Sequence, residues 1–196
     1  MQHQNKKLTD FSKLLRLYAG GAVFTALDTE ATCCDPTTGK LLEIGAVKFN
    51  KDSVISEYQT LINPEQPIPE FIQQLTSIND LMVKDSPKIN TVLPQFIDFI
   101  QDSILIAHNA QSDINYLYRE CENCSINFPH NKFIDTLQFS RWAYPENGQY
   151  KLETLASQFN INPGHSHRAF DDAVTCMELF KRILIDTKLR QKGVKL

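Results

Sequence analysis

The order of apolar runs along the chain constrains the fold more than any single residue does. Three strand-like runs come first, at 22–27, 41–49 and 54–62, with a turn at 50–52 joining the second to the third. Helix-like and strand-like runs then alternate: helix 93–100, strand 104–107, a helix that Asp113 opens, strand 133–134, and helices at 136–143, 152–159 and 170–189. Consecutive strands favour an antiparallel meander, and the alternation favours parallel crossovers. The chain is therefore predicted to be an α/β protein with a mixed five-stranded sheet flanked by helices.

Length and composition are consistent with one domain spanning residues 1–196. The chain has 196 residues, 42% of them hydrophobic and 22% charged, which is enough to build a core. We expect the core at about 22–185, preceded by a short amphipathic helix over Phe11–Tyr18 and followed by a basic tail. No apolar run approaches the ~20 residues that span a bilayer, and no cleavable leader is recognisable. A cytoplasmic location is the expectation.

The charge and the cysteines limit the kinds of partner. A net charge of −3 argues against the broad basic surface of a general duplex-binding protein. Basic residues do concentrate near the C-terminus, and they form either a solvated helix face with a frayed tail or a weak phosphate-attracting rim: Lys181, Arg182, Lys188, Arg190, Lys192 and Lys195. The five cysteines favour reduced, buried or idle thiols over disulfides or a metal site, and Cys121 is expected just after a helix.

Two acids stand at the end of the first strand-like run. Asp28 and Glu30 are two residues apart, so strand geometry places both side chains on one face. Two like charges there would repel unless a cation lay between them. Exposed strand-end polarity is the alternative. The apolar run Val23 to Leu27 indicates a central strand, and functional sites in α/β sheets are often located at the ends of central strands.

Two later acids lie at helix starts. Asp113 is consistent with a helix N-cap or first-turn acid, but that position also points toward the edge of the sheet. Asp172 shares a helical stripe with the apolar residues Cys176, Leu179 and Ile183, whereas Asp171 shares one with polar residues. The side chain of Asp172 should therefore face the protein interior, and that of Asp171 should face water. Since no lysine or arginine lies on its stripe, Asp172 is a candidate metal ligand.

His167 lies in a loop five residues before Asp172. A loop histidine is more often solvent-exposed than catalytic. The position nevertheless sets it above the start of the helix that carries Asp172. A histidine near its ordinary pKa of ~6.5 is suited to taking a proton from water, so His167 is a candidate general base.

Several segments together resemble the DEDDh family of 3′–5′ exonucleases, which have a ribonuclease-H-like fold. The first motif is Asp28-Thr29-Glu30, the second runs from His108 to Asp113, and the third, H-x-A-x-x-D, runs from His167 to Asp172. Intervening segments also match: Leu42–Val47, Leu75–Asp80, and Ile134–Leu137 with Ser140-Arg141. The resemblance covers about residues 22–182. It is nearest to the proofreading epsilon subunits of bacterial DNA polymerase III and their stand-alone relatives.

The resemblance implies a site and a reaction. Asp28, Glu30, Asp113 and Asp172 would hold two Mg²⁺ or Mn²⁺ ions, and His167 would be the general base. Residues that would contact the terminal nucleotide are Ala31, Thr32, Ile78 and Asn109. Glu43 and Asp135 would be either supporting residues or surface acids.

The expected activity is metal-dependent release of nucleoside 5′-monophosphates from single-stranded or frayed 3′ ends, with DNA favoured. RNA 3′-end trimming and non-catalytic nucleic-acid binding remain alternatives, and a DNA polymerase is a candidate partner. One departure concerns the second motif, where Ser112 replaces the usual Phe beside Asp113. That change places the binding of the terminal nucleotide in question, but not the binding of metal.

Overall fold

A single mixed sheet organises the molecule in the computed structural model, which describes residues 7–191. Its strands are β1 Phe24–Ala31, β2 Leu41–Phe49, β3 Val54–Leu61, β4 Ile104–Ala107 and β5 Phe133–Asp135, in the order β3-β2-β1-β4-β5. The pairs β1–β2 and β2–β3 are antiparallel, and β1–β4 and β4–β5 are parallel. The predicted α/β class and mixed sheet are confirmed, and β1 is the central strand as its apolar sequence indicated.

The predicted helices occur in the expected order, together with two short helices that lie between β3 and the helix before β4. They are α1 Phe11–Ala19, α2 Glu70–Thr76, α3 Asp80–Val83, α4 Ile89–Ile100, α5 Gln111–Asn123, α6 Thr136–Ala143, α7 Leu152–Gln158 and α8 Ala169–Gln191. Cys121 lies inside α5, so its expected position after that helix was wrong. Asp113 occupies the first turn of α5, but Ala110 is the N-cap residue. No helix within residues 7–191 combines the length and hydropathy needed to cross a membrane.

Each face of the sheet packs against a different set of helices. Leu27 of β1 lies in a core cluster with residues of α4 and α5. Phe24 and Ala26 lie in a second cluster, which includes residues of α6 and α8. Because side chains alternate along a strand, Asp28 and Glu30 continue the face that packs against α8. Strand periodicity therefore directs both acids toward the helix that carries Asp172.

A glycine on β2 lets the start of α8 approach the sheet. Gly45 pairs with Asp28 across the β1–β2 ladder. A Cβ atom at Gly45 would lie 2.2 Å from the backbone nitrogen of Phe170, closer than side chains tolerate. Only glycine therefore permits this contact. The first turn of α8 is thereby held against the part of β2 that faces Asp28.

The basic residues near the C-terminus are partly neutralised. In α8, Lys181 pairs with Glu178 at 3.0 Å and Arg182 pairs with Asp186 at 3.0 Å. Lys192 and Lys195 lie outside the described residues, so the basic tail as a whole, like the domain limits 1–196, stays a prediction. Lys188 and Arg190 are exposed on the last turns of the helix.

Candidate active site

The two acids of β1 are packed among other carboxylates. Burial raises the pKa of Asp28 well above its usual range, and the charges of Asp113 and Glu30 raise it further. Burial likewise raises the pKa of Glu30 to about 8, with additional contributions from Asp172 and Glu43. Both acids are half-buried in the strand. The exposed strand-end alternative was therefore wrong, and the two side chains instead share a crowded acidic environment.

Asp113 joins these acids from the first turn of α5. It is 5% exposed, and its Oδ1 accepts a hydrogen bond of 2.7 Å from the hydroxyl of Thr29, the residue between Asp28 and Glu30. Burial raises the pKa of Asp113 to about 7, against the lowering effect of the Thr29 hydroxyl. Thr29 thus links α5 to β1 and holds Asp113 beside the strand acids.

Asp172 and His167 complete the cluster from the start of α8. The backbone N–H of His167 donates to Asp172 Oδ2 at 3.0 Å. Burial raises the pKa of Asp172, although this hydrogen bond opposes the shift. Glu30, His167 and Asp172 each offer one ligand atom, and these three atoms lie within 4.8 Å of one another. The loop histidine and the two acids therefore meet at one point.

Asp171 is not turned to water, contrary to the expectation from its helical stripe. It is half-buried, and its Oδ2 accepts a hydrogen bond of 2.8 Å from the backbone N–H of His165. Thr175, on the same stripe, is 1% exposed. The stripe argument failed here because the loop before α8 folds back over this side of the helix.

The predicted nucleotide contacts divide into accessible and buried residues. Asn109 is exposed, with a left-handed φ of 63°, and Ala31 is half-buried at the end of β1. Ile78 is fully buried beside Leu42 and Ile72, so in this conformation its side chain has no surface to offer a nucleotide. Thr32 is 2% exposed, and its hydroxyl accepts hydrogen bonds from Lys40 N and Gln66 Nε2. The structure therefore gives no support to a contact role for the Ile78 and Thr32 side chains.

The cluster is suited to a divalent cation. Within residues 7–191, ion pairs with lysine or arginine engage Glu43 and Asp135 but none of Asp28, Glu30, Asp113 or Asp172. Four buried or half-buried carboxylates without a protein cation are mutually repulsive. Carboxylate oxygens are also the ligands that Mg²⁺ and Mn²⁺ favour. The donor set fits such ions, and a cation would remove the repulsion.

Comparison with known proteins agrees with the site geometry. The model of the Exonuclease (RNase_T) family matches residues 25–180, the range that contains all four acids and His167. The chain belongs to this exonuclease family. That finding confirms the resemblance to DEDDh exonucleases and their ribonuclease-H-like fold.

Two curated relatives and one solved structure illustrate the similarity. The chain is 36% identical over 163 residues to DNA polymerase III subunit epsilon of Treponema pallidum, covering 82% of this chain and 76% of the relative. It is 32% identical over 175 residues to the 3′-5′ exonuclease DinG of Staphylococcus aureus, covering 86% of this chain but only 20% of DinG. The nuclease domain of 3′hExo, a DEDDh family member bound to rAMP, matches with a TM-score of 0.74 and 20% identity. That match covers 85% of this chain and 93% of the other.

Asp135 and Glu43 are both buried near the carboxylate cluster, so the alternative that they are surface acids was wrong. Asp135, 5% exposed, caps α6 by accepting from Leu137 N, and it also accepts from Asn109 N. Glu43, fully buried on β2, accepts from Nε and Nη2 of Arg168. An acid inside the otherwise apolar run Leu41–Val47 was the available signal for Glu43. No comparable signal pointed to Thr29 or Arg168.

Proposed function

We propose that this domain is a divalent-metal-dependent 3′–5′ exonuclease that releases nucleoside 5′-monophosphates from single-stranded or frayed ends, with DNA as its substrate. One observation carries the proposal: carboxylates from β1, α5 and α8 converge on the loop that carries His167, and within residues 7–191 no lysine or arginine forms an ion pair with them. Family membership supplies the reaction class, since the matching segment contains every member of this cluster.

The four acids would hold the metal. Asp28 and Glu30 from β1, Asp113 from α5 and Asp172 from α8 provide an all-carboxylate donor set, which we assign to two Mg²⁺ or Mn²⁺ ions. Such ions polarise a phosphoryl oxygen and neutralise charge on the attacking and leaving oxygens. The raised pKa values of the acids are consistent with this assignment, because a bound cation favours the ionised form of each carboxyl.

His167 would act as the general base. Its imidazole is exposed to solvent, and a ring nitrogen lies within 4.8 Å of ligand atoms of Glu30 and Asp172. In the proposed step it takes a proton from the attacking water while the water oxygen bonds to phosphorus. The bond from phosphorus to the 3′ oxygen of the preceding nucleotide breaks, and that oxygen takes a proton from solvent. The products are a nucleoside 5′-monophosphate and a strand shortened by one nucleotide with a free 3′ hydroxyl.

The substrate and the partner follow from the comparisons as proposals. DNA is favoured because one relative is a DNA polymerase III subunit, and the same similarity makes a DNA polymerase the candidate partner. RNA is the alternative substrate, since the similar 3′hExo domain was solved with rAMP. A net charge of −3 suits either end-binding activity, because bound metal ions attract the phosphate and few lysines are needed.

The direct test is the shortening of an oligonucleotide labelled at its 5′ end. Wild-type protein with Mg²⁺ or Mn²⁺ should produce a ladder that shortens from the 3′ end. Asp172→Ala should lower the rate on the order of 1,000-fold, since several kcal/mol of charge stabilisation would be lost. Asp52→Ala is the control. Asp52 is an exposed acid in the β2–β3 turn, beside the opposite end of β1, and its loss should leave the rate unchanged.

The results of this assay distinguish an exonuclease from a non-catalytic binding module and a DNA substrate from an RNA substrate. No shortening with any divalent metal, or equal rates for wild type and Asp172→Ala, would overturn the proposal. Oligonucleotide binding without hydrolysis would instead identify a non-catalytic binding module. A matched RNA oligomer tests the substrate, because faster cleavage of RNA than of DNA would exclude the DNA assignment. Co-elution with a DNA polymerase from the same source would test the proposed partner.

A further inference from the structure

Glu43 is a buried acid that lies directly across the ladder from a proposed metal ligand. In the β1–β2 register, Glu30 pairs with Glu43. Both side chains project from the face that packs against α8, and Glu43 is 0% exposed. Like charges directly opposite each other on one face of a sheet are destabilising. The position of Glu43 therefore requires compensation from elsewhere in the molecule.

That compensation comes largely from the segment that follows His167. Arg168 Nε donates to Glu43 Oε2 at 3.0 Å, and Arg168 Nη2 donates to Oε1 at 2.9 Å, which forms a bidentate fork. The backbone N–H of Ala169 donates to Oε2 at 3.0 Å, and Gln59 Nε2 donates to Oε1 at 3.0 Å. Each carboxylate oxygen thus accepts two hydrogen bonds. These four donors occupy the carboxylate, so we exclude Glu43 from the metal-binding set.

The same contacts fix the loop that carries the proposed base. Arg168 directly follows His167, and Ala169 begins α8, so Glu43 anchors the two residues after the histidine. Asp172 anchors the backbone N–H of His167 itself. His167 has a left-handed φ of 60°, a conformation that a residue other than glycine keeps only when its surroundings hold it. Glu43 and Asp172 supply that restraint from the strand and from the helix.

We propose that Glu43 is a positioning residue, which acts through Arg168 and Ala169 to hold the His167 imidazole at the carboxylate cluster. This inference rests on the proposed exonuclease function. It predicts that loss of the Glu43 contacts lowers kcat because His167 is misplaced, while KM for the oligonucleotide and the affinity for Mn²⁺ change little. A purely structural role would instead lower stability without a specific dependence on His167.

A double-mutant cycle separates these roles. Glu43→Gln should lower kcat about 10- to 100-fold in the presence of His167, as is typical when a supporting hydrogen-bond partner is removed. In a His167→Ala background the same substitution should change kcat by less than about 3-fold, since the residue through which it acts is already gone. Calorimetric Mn²⁺ affinity should stay within about 3-fold of wild type.

Asp186→Asn is the matched control. Asp186 is another buried acid bound by an arginine, Arg182, and also by the Tyr144 hydroxyl, but it lies toward the other end of α8. Its substitution should lower thermal stability comparably and leave kcat unchanged. If Glu43→Gln does not fold, Arg168→Ala replaces it in the cycle, and added guanidinium at millimolar concentration should restore part of the lost kcat.

The outcomes are distinct. An equal loss of kcat from Glu43→Gln in both backgrounds, or a tenfold or greater loss of Mn²⁺ affinity, would overturn the positioning role. Absence of guanidinium rescue in folded Arg168→Ala would also contradict it. If wild-type protein shortens no oligonucleotide, the proposed function itself fails and this inference falls with it. If wild-type protein is active but the effects of Glu43→Gln and His167→Ala on kcat are additive, only the positioning role of Glu43 is contradicted.

Discussion

Two kinds of buried acid lie on one face of the β1–β2 ladder, and they differ in what neutralises them. Glu43 has a bidentate arginine, a backbone N–H and an amide donor, and the hydrogen bonds of Arg168 and the other donors lower its pKa against the effect of burial. Glu30, directly opposite, has no such set of donors among residues 7–191, and its pKa is raised to about 8. Burial acts in the same direction on both residues. The fold thus supplies an arginine to pair with Glu43, and within residues 7–191 no lysine or arginine forms an ion pair with Glu30; we propose that a metal ion compensates Glu30.

The same contrast extends beyond the strand pair. Asp135 is 5% exposed and accepts from two backbone N–H groups and from Lys7 at 3.2 Å. Asp113 is equally buried, and although the Thr29 hydroxyl donates to its Oδ1, burial raises the pKa of Asp113 to about 7. Glu43 and Asp135 thus each accept several hydrogen bonds and pair with a basic side chain. The acids proposed as metal ligands, Glu30 and Asp113, instead have raised pKa values because nearby donors do not offset their burial.

Among substitutions that leave all four proposed ligand acids in place, the largest effect should come from removing the proposed base. His167→Ala should slow exonuclease turnover about 100-fold or more, as is typical for loss of a general base, and calorimetric Mn²⁺ affinity should be nearly unchanged. His165→Ala is the matched control, because that exposed loop histidine uses its backbone N–H in the contact with Asp171. Loss of Mn²⁺ binding in His167→Ala would make the imidazole a ligand, contrary to its assignment as base.

Amide substitution of the two opposed glutamates should change stability in opposite directions. In EDTA-treated protein at about pH 8.5, above the folded pKa of Glu30 of about 8, Glu30→Gln should raise the midpoint of thermal unfolding by about 2–4 °C, because it removes a repelling charge. Glu43→Gln should lower the midpoint on the order of 5–10 °C, because it leaves Arg168 without its ionic partner. Scanning calorimetry of the two variants checks this. A fall of similar size in both would show that the two acids are not differently compensated.

The metal-free protein should become less stable as the pH rises through neutrality. Because the folded pKa values of Glu30 and Asp113 are about 8 and about 7, above their ordinary values, the folded state holds protons that the unfolded chain releases. Stability from these groups is present at low pH and is lost as the pH rises through the folded pKa. The midpoint in EDTA should therefore fall by at least ~3 °C more in wild type than in Glu30→Gln between about pH 5 and pH 8.5. Equal slopes would contradict the raised pKa of Glu30.

The smallest effect should come from restoring an aromatic side chain beside the cluster. Ser112 is exposed in the first turn of α5, next to Asp113, and a phenylalanine there would have room to stack on a nucleobase. Ser112→Phe should lower KM for a single-stranded oligonucleotide about 5-fold with little change in kcat. Glu122→Phe, exposed near the end of the same helix, should not. An unchanged KM for Ser112→Phe would show that this position does not contact the substrate.

Much of the fold and part of the site followed from local patterns. The period of two in β1 brought Asp28 and Glu30 to one face, and the apolar stripe of α8 indicated the inward placement of Asp172, although the prediction that Asp171 faces water was wrong. Both arguments use residues within a few positions of one another, where strand or helix geometry fixes direction. The role of Asp172 as a ligand remains a prediction, but its inward placement required no knowledge of the rest of the chain.

The other contacts depend on pairings that local patterns do not contain. Glu43 meets Arg168 across 125 positions, and it opposes Glu30 only because of the register between β1 and β2. The burial of Ile78 depends on how the short helices α2 and α3 fold against Leu42, and large apolar residues in the same segment, such as Phe71 and Leu81, are exposed. Hydrophobicity alone could not separate these side chains.

Titration of metal-free protein with Mn²⁺ in a calorimeter, near pH 7.5, tests the central contrast most directly. Wild type should bind Mn²⁺, Asp28→Asn should bind at least ~10-fold more weakly, and Asp186→Asn, which alters an acid already paired with Arg182, should bind like wild type. Absence of Mn²⁺ binding by wild type, or equal binding by wild type and Asp28→Asn, would contradict the assignment of the uncompensated carboxylates as the metal site.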